Sequence, residues 1–407
     1  MPQQHKPNQF GRIFTPDEAW LARRPPEPIL DPDLPIIDTH HHLWVRGGHR
    51  YLLDEYLADA ATGHNLVSSV FLQCHSMYRA DGPEALRPIG ETEFVNGIAA
   101  MSASGMFGNT RVAAGIVGYA DLALGDRVEP VLEAQIRAGG GRFRGVRDSG
   151  NYDADPIIGN GAAAPQRYMR PEFRAGLARL TGLGLSLDAW TFFTQLHEVI
   201  DLARACPEAN LIMGHCGGLL GYGPYAGKRD EVFAAWKASI TELAKCPNVS
   251  MKLGGMMMRL AAFDYLAMDA PPTSEELAAH WRPYIETCIA AFGPDRCLYE
   301  SNFPVDKMGI GWAALWNAFK RISAGASADE KTALFSGTAL RCSALRPPAS
   351  IILRALRPPE GCGPTCPSLC KCPEIPGWQL PGRHAGATGR RWRPGCAVAV
   401  PKTSRRP

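Results

Sequence analysis

The sequence predicts an α/β protein: a (β/α)8 TIM barrel over residues 36–341, an irregular lead-in over 1–35, and a basic, disordered tail over 342–407. Three observations carry this. Short apolar runs, several rich in β-branched residues, recur eight times between residues 35 and 300. Stretches of helical period fill the gaps between them. The pattern collapses at Cys342. Strands alternating with helices make a parallel sheet, and eight parallel strands close into a barrel.

Taken in order, the expected strands are Pro35–His40, Val67–Gln73, Val112–Val117 and Phe143–Arg147, then Leu183–Asp188, Asn210–Gly214, Val249–Leu253 and Arg296–Glu300. Helical stretches are expected at 91–104, 127–138, 171–181, 194–205, 229–245, 274–292 and 311–324. The fourth of these starts on Thr194 as a cap and repeats apolar residues at spacings of three and four. Residues 1–35, rich in Pro and charge, are expected to pack irregularly on the barrel wall.

Composition supports one large core: of 407 residues, 45% are hydrophobic and 20% charged, as in soluble globular chains. No run of 18 apolar residues occurs, which excludes a membrane span, and the polar N-terminus is not a secretory signal. A cytoplasmic protein is expected. The net charge of +3 hides an asymmetry. The tail carries eleven Lys/Arg against Glu360 and Glu374, so the barrel is mildly acidic. Six of the twelve cysteines are scattered singly through the body, the usage of a reduced compartment. The other six lie in the tail, which also holds twelve prolines and cannot bury a core. A frameshifted ending explains that composition. A zinc module at Cys366–Cys372 and a nucleic-acid arm are the rivals, and nucleic acid is disfavoured because such arms are usually Lys-rich and Cys-poor.

In TIM barrels the chemistry sits at the C-terminal ends of the strands. Asp38-Thr39-His40-His41-His42 ends the first strand, and alternation points His40 and His42 the same way while His41 points away. Such a pair can share one metal ion or one substrate. His215 follows the sixth strand beside Gly217 and Gly218, where it can ligate a metal, position water or polarise a carbonyl. Arg147 ends the fourth strand, and its planar fork suits a carboxylate. Lys252 on the seventh strand is a weaker counterpart. Gln73, His75 and Trp190 end strands two and five and can line the pocket. Glu300, Asn302 and Asp306 cluster after the eighth strand, where hydrolysis needs a base near the attacking water.

Ile36-Ile-Asp-Thr-His-His-His-Leu-Trp44, His215-Cys-Gly-Gly218, Val249-Ser-Met-Lys-Leu-Gly254, Ser301-Asn-Phe-Pro304 and Phe335-Ser-Gly-Thr-Ala-Leu-Arg341 together resemble the amidohydrolase-related TIM-barrel hydrolases. The resemblance is nearest the sugar-lactonase and 2-pyrone-4,6-dicarboxylate lactonase group, and it spans about residues 35–341. It implies that His40, His42 and His215 form the site. It also implies an Asp at the end of strand eight that activates water, but Asn302 stands there. An amide cannot accept water's proton, so Asp306 is the expected base, Glu300 the second choice, and Asn302 positions the water. The lysine that bridges two metals in some amidohydrolases has no counterpart on strand four, where Arg147 stands. The resemblance also implies a chain ending soon after Arg341, which the tail does not follow.

The expected function is hydrolytic opening of a small carboxylated lactone or similar ester. His40, His42 and His215 hold one divalent metal, zinc by donor set, or work metal-free on the substrate carbonyl. Two alternatives stay open: a metal-dependent non-oxidative decarboxylase, and a non-catalytic barrel that binds a small acid. The expected partner is a small-molecule carboxylate, with self-association open.

Overall fold

The computed structural model describes residues 15–343 and Leu345, apart from Gly47, residues 257–262 and Asp264. Eight parallel strands form one sheet in chain order: β1 Ile36–His41, β2 Leu66–Leu72, β3 Arg111–Gly118, β4 Phe143–Ser149, β5 Ser186–Trp190, β6 Leu211–Met213, β7 Val249–Leu253 and β8 Cys297–Tyr299. Every residue of β1, β2, β6, β7 and β8 is buried, because helices cover the outside and side chains fill the inside. That is why these strands read as apolar runs.

The ring closes just beyond β8. A parallel bridge joins His41 to Phe303. There Asn302 N–H donates to the His40 carbonyl at 2.8 Å, and His42 N–H to the Phe303 carbonyl at 2.8 Å.

A helix follows each strand: α1 Leu53–Ala60, α2 Ile89–Ala103, α3 Glu129–Ala138, α4 Pro171–Gly182, α5 Leu196–Ala205, α6 Arg229–Leu243, α7 Ser274–Phe292 and α8 Trp312–Ile322. Helix α7 begins as its sequence demands, with Thr273 and Glu276 in a reciprocal capping box. Three expectations need correction. Thr194 does not cap α5, because a 3-10 turn, Phe193–Gln195, precedes that helix. Strand β5 starts at Ser186 rather than Leu183, which ends α4. Helix α1 and the ribbon pairing Trp44–Arg46 with His49–Tyr51 were not anticipated, being too short for periodicity to register.

The described lead-in packs on α7, α8 and the segment before α7. Trp20 Nε1 donates to the Met268 carbonyl at 3.0 Å, and Glu27 Oε1 accepts from Ser274 N–H at 2.7 Å. Lys320 donates to the carbonyls of Leu30 and Asp31 at 2.7 and 2.9 Å. Packing continues past the expected 341/342 boundary: buried Leu345 joins Ile37, Val70, Leu72, Val117 and Leu298. The rest of the tail, 346–407, lies outside the described residues, and with it the zinc, nucleic-acid and frameshift readings.

Candidate active site

Glu300, directly after β8, is fully buried and stands between two imidazoles. Its Oε1 accepts from Nδ1 of His215 at 2.7 Å and from the His215 N–H at 3.1 Å. Its Oε2 lies 2.8 Å from Nδ1 of His40, at an angle too poor for a hydrogen bond, so both atoms stay unsatisfied. The rings of His40 and His215 sit 4.6 Å apart. First, sixth and eighth strand ends therefore meet at one carboxylate.

The backbone is bent to permit this. His215 and Cys216 adopt left-handed φ of 52° and 50°, a conformation costly for residues with a Cβ and typical of functional sites. Gly255, after β7, also has positive φ, and a Cβ there would stand 1.8 Å from Nδ1 of His215. Only glycine leaves room for the ring.

As alternation requires, His40 and His42 turn together, with Nε2 atoms 3.2 Å apart, while His41 turns away onto Ser69 Oγ at 2.9 Å. Tautomers follow from the partners. Nδ1 of His42 faces the Leu72 carbonyl at 2.8 Å, an acceptor only, so it carries the proton. Nε2 of His40 accepts from Arg147 Nη1 at 3.3 Å, which puts that proton on Nδ1. Burial, reinforced by His215 for His40 and by Arg147 for His42, holds both rings well below the usual histidine pKa, hence neutral. Two Nε2 lone pairs thus converge without a proton between them.

This donor set fits one divalent ion. Tetrahedral zinc with Zn–N of about 2.0–2.1 Å holds its nitrogens about 3.3–3.4 Å apart, close to the 3.2 Å found. His40, His215 and Glu300 also offer ligand atoms within 4.8 Å of one another. That set omits His42 from the expected trio. We favour Nε2 of His40 and His42 as ligands, because Glu300 already faces Nδ1 of His40, the orienting role carboxylates play behind metal-bound histidines.

Arg147 is half-buried, donates through Nε to Gln73 Oε1 at 3.0 Å, and bonds the Gln73 carbonyl through Nη2. Its neighbour Asp148 is taken by Arg167, with contacts of 2.8 Å to each oxygen. Arg147 therefore keeps no carboxylate in ion-pair contact among the described residues. Trp190 packs edge-on against His215 with ring centroids 4.7 Å apart. His75 is exposed at the rim, near Gln73 Nε2 at 3.0 Å and Tyr78 OH at 3.1 Å.

Two expected residues are held by other side chains. Lys252 is buried inside the barrel, its ammonium on Asp188 Oδ1. Asp306 is fully buried and accepts from Asn302 Nδ2 at 2.8 Å.

Sequence reasoning missed three supporting acids. Asp38 accepts from Ser301 N–H at 2.8 Å, Ser301 Oγ at 2.7 Å and Tyr56 OH at 2.9 Å, and so fixes the segment after β8. Burial raises its pKa to about 6. Asp188 pairs with Lys252. Glu91, on α2, accepts from the backbone N–H of Cys74 at 3.0 Å and Ser76 at 2.7 Å. Only Asp38 left a signal, since it opens the Asp-Thr-His run.

Residues 37–342 match the family described as Amidohydrolase. The chain belongs to the amidohydrolase family. It is a hydrolase by that membership. Among this amidohydrolase's relatives is the uncharacterized protein y4mH of Sinorhizobium fredii, 34% identical, aligned over 75% of this chain and 97% of that protein. An L-fucono-1,5-lactonase of Burkholderia multivorans is 27% identical, aligned over 77% of this chain and 97% of that enzyme. A crystal structure of a Burkholderia multivorans amidohydrolase with bound zinc is similar at a TM-score of 0.58 and 25% identity, covering 76% of this chain and 99% of that one.

Proposed function

We propose that this amidohydrolase opens a small carboxylated lactone to its hydroxy acid. The observation that carries the reading is Glu300 facing Nδ1 of both His40 and His215 beside an arginine with no ion-paired carboxylate. The L-fucono-1,5-lactonase relative supports the reaction class.

Arg147, braced by Gln73, binds the substrate carboxylate and sets the ring over the histidines. Glu300 holds the Nδ1 proton of His215, leaving Nε2 as the basic lone pair. Among the described residues nothing bonds that nitrogen, so a water can. His215 takes the water's proton as its oxygen bonds to the carbonyl carbon. The ring C–O bond then breaks, and the proton passes to the departing alkoxide. This base replaces Asp306, which lies buried behind Asn302. His40 and His42 would hold one divalent ion, which we take to be zinc, through their Nε2 atoms, leaving His215 as the base. When bound, it supplies Lewis-acid polarisation of the carbonyl.

The test follows base consumption and CO2 release with purified protein across a panel of sugar-acid lactones, pyrone carboxylates and aromatic carboxylates. Acid production without CO2, abolished in Glu300→Gln, is expected. Release of CO2 with no ring opening would replace this reading with decarboxylation, and binding without either product would make the barrel non-catalytic.

A further inference from the structure

We infer that His75 is a positioning residue: it sets the face of the Gln73 amide and, through that amide, the place of Arg147. This rests on the reading above, in which Arg147 binds the substrate carboxylate. The chain of bonds runs from the rim to the site. Tyr78 OH lies 3.1 Å from Nδ1 of His75, and Gln73 Nε2 lies 3.0 Å from its Nε2 and 3.3 Å from its Nδ1. Gln73 Oε1 accepts from Arg147 Nε at 3.0 Å, and Arg147 Nη1 reaches Nε2 of His40 at 3.3 Å. A guanidinium only donates, so the amide oxygen must face Arg147 and the amide N–H groups must face His75. His75 then accepts at Nε2 and gives its Nδ1 proton to the Tyr78 oxygen. Burial, then the charges of Arg147 and Arg46, hold His75 below the usual histidine pKa, which keeps Nε2 an acceptor. Turned over, the amide would set its nitrogen against Arg147 Nε, donor against donor.

The turn after β2 is built to hold this exposed ring. His75 has a φ of 60° and Met77 one of 54°, a conformation that costs residues with a Cβ. Glu91 accepts from the N–H of Cys74 and of Ser76, one on each side of His75. Helix α2 lies directly on the turn: a Cβ at Gly90 would stand 2.5 Å from the Met77 carbonyl. Tyr119 adds a ring contact, with centroids 6.0 Å apart. A histidine that merely faced water would need neither the left-handed backbone nor the carboxylate behind it. Arg147 has one further tie to Gln73, from Nη2 to the backbone carbonyl, which no side-chain rotation can break. The amide bond is the one that His75 controls.

The experiment uses full-length protein and two pyrones, one bearing a carboxylate and one with methyl in its place. His75→Ala is expected to raise KM for the carboxylated pyrone about tenfold, with kcat nearly unchanged. KM for the methyl pyrone should not move. His75→Gln, whose side-chain oxygen can accept from Gln73, should recover most of the affinity. In a Gln73→Met background His75→Ala should add nothing, because the linking amide is gone. An unchanged KM, or an equal rise for both pyrones, overturns the inference, as does a full His75 effect without the Gln73 amide. His75 is exposed, so its two variants carry the test alone if Gln73→Met does not fold. Calorimetric binding of the open-chain acid to Arg147→Met and to the His75 variants keeps the two readings apart. If no lactone is opened, yet acid binding weakens in His75→Ala and recovers in His75→Gln, the positioning role stands and the hydrolytic reading fails. If the carboxylated pyrone is opened with a KM that depends on Arg147 and not on His75, the reverse holds.

Discussion

The Nε2 atoms of His40 and His42 face one another at 3.2 Å, and neither carries a proton to join them. Two lone pairs so placed repel unless a cation lies between, and on that ground we propose His42 as a ligand although Glu300 is nearer to His215. His42→Ala is therefore expected to weaken zinc affinity more than about a hundredfold. Glu300→Gln, which alters only the support behind the rings, should cost about 10–100-fold. Metal content after dialysis against graded chelator measures both. Full zinc retention in His42→Ala would point instead to the His40, His215 and Glu300 set.

Glu91 holds the turn that carries Gln73 and His75. Glu91→Ala leaves the N–H groups of Cys74 and Ser76 without their acceptor, at a cost of about 1–3 kcal/mol. It also loosens Gln73, the brace of Arg147. KM for a carboxylated substrate is expected to rise about tenfold, with kcat changed much less, and Glu91→Gln should recover most of both. An unchanged KM in a less stable Glu91→Ala would confine the residue to folding.

Gly255 is fixed by the His215 ring. Gly255→Ala is expected to displace that ring, lower turnover at least about a hundredfold and cost about 3 kcal/mol or more, since a clash and a positive φ combine. Thermal unfolding and the lactone assay check this together. Turnover equal to that of unmodified protein would show that the ring has another place to go.

His64 is one of the buried histidines that make the fold acid-sensitive. Its Nδ1 accepts from Lys320 Nζ at 2.8 Å and its Nε2 lies 3.2 Å from the Ala313 carbonyl. Burial and then the Lys320 charge lower its pKa from 6.5 to about 4. The folded state thus favours neutral imidazole, so this contribution is complete above pH 6.5 and is lost as pH falls towards 4. The loss amounts to up to about 3 kcal/mol. His64→Gln should flatten the fall in melting temperature between pH 7 and pH 4.5. An equally steep fall in the variant would place the acid sensitivity elsewhere.

Much of the architecture was legible because each barrel strand is wrapped on both faces and so appears as an apolar run. His40, His42 and His215 were legible because strand ends in this fold are site positions. The Lys252–Asp188 pair was not, since it joins strands that are not neighbours in the sheet, and nothing local in β5 or β7 announces a partner across the barrel. Glu91 escaped for a different reason: a charged residue in an amphipathic helix is read as facing water, whereas this one turns inward to hold a loop. Asp306 attracted the role of base as the nearest ionisable group to Asn302 in sequence. The hydrogen bond between the two accounts for that closeness and leaves the acid behind the amide.

The bonds that close the ring, from Asn302 N–H to the His40 carbonyl and from His42 N–H to the Phe303 carbonyl, come from the segments that carry the site. The clasp of the barrel and its reactive centre are one piece of backbone. Whatever ligand the histidines grip also fastens the start of the barrel to its end, so resistance to heat should rise with occupancy, and a simple melting curve becomes a way to screen for the natural substrate.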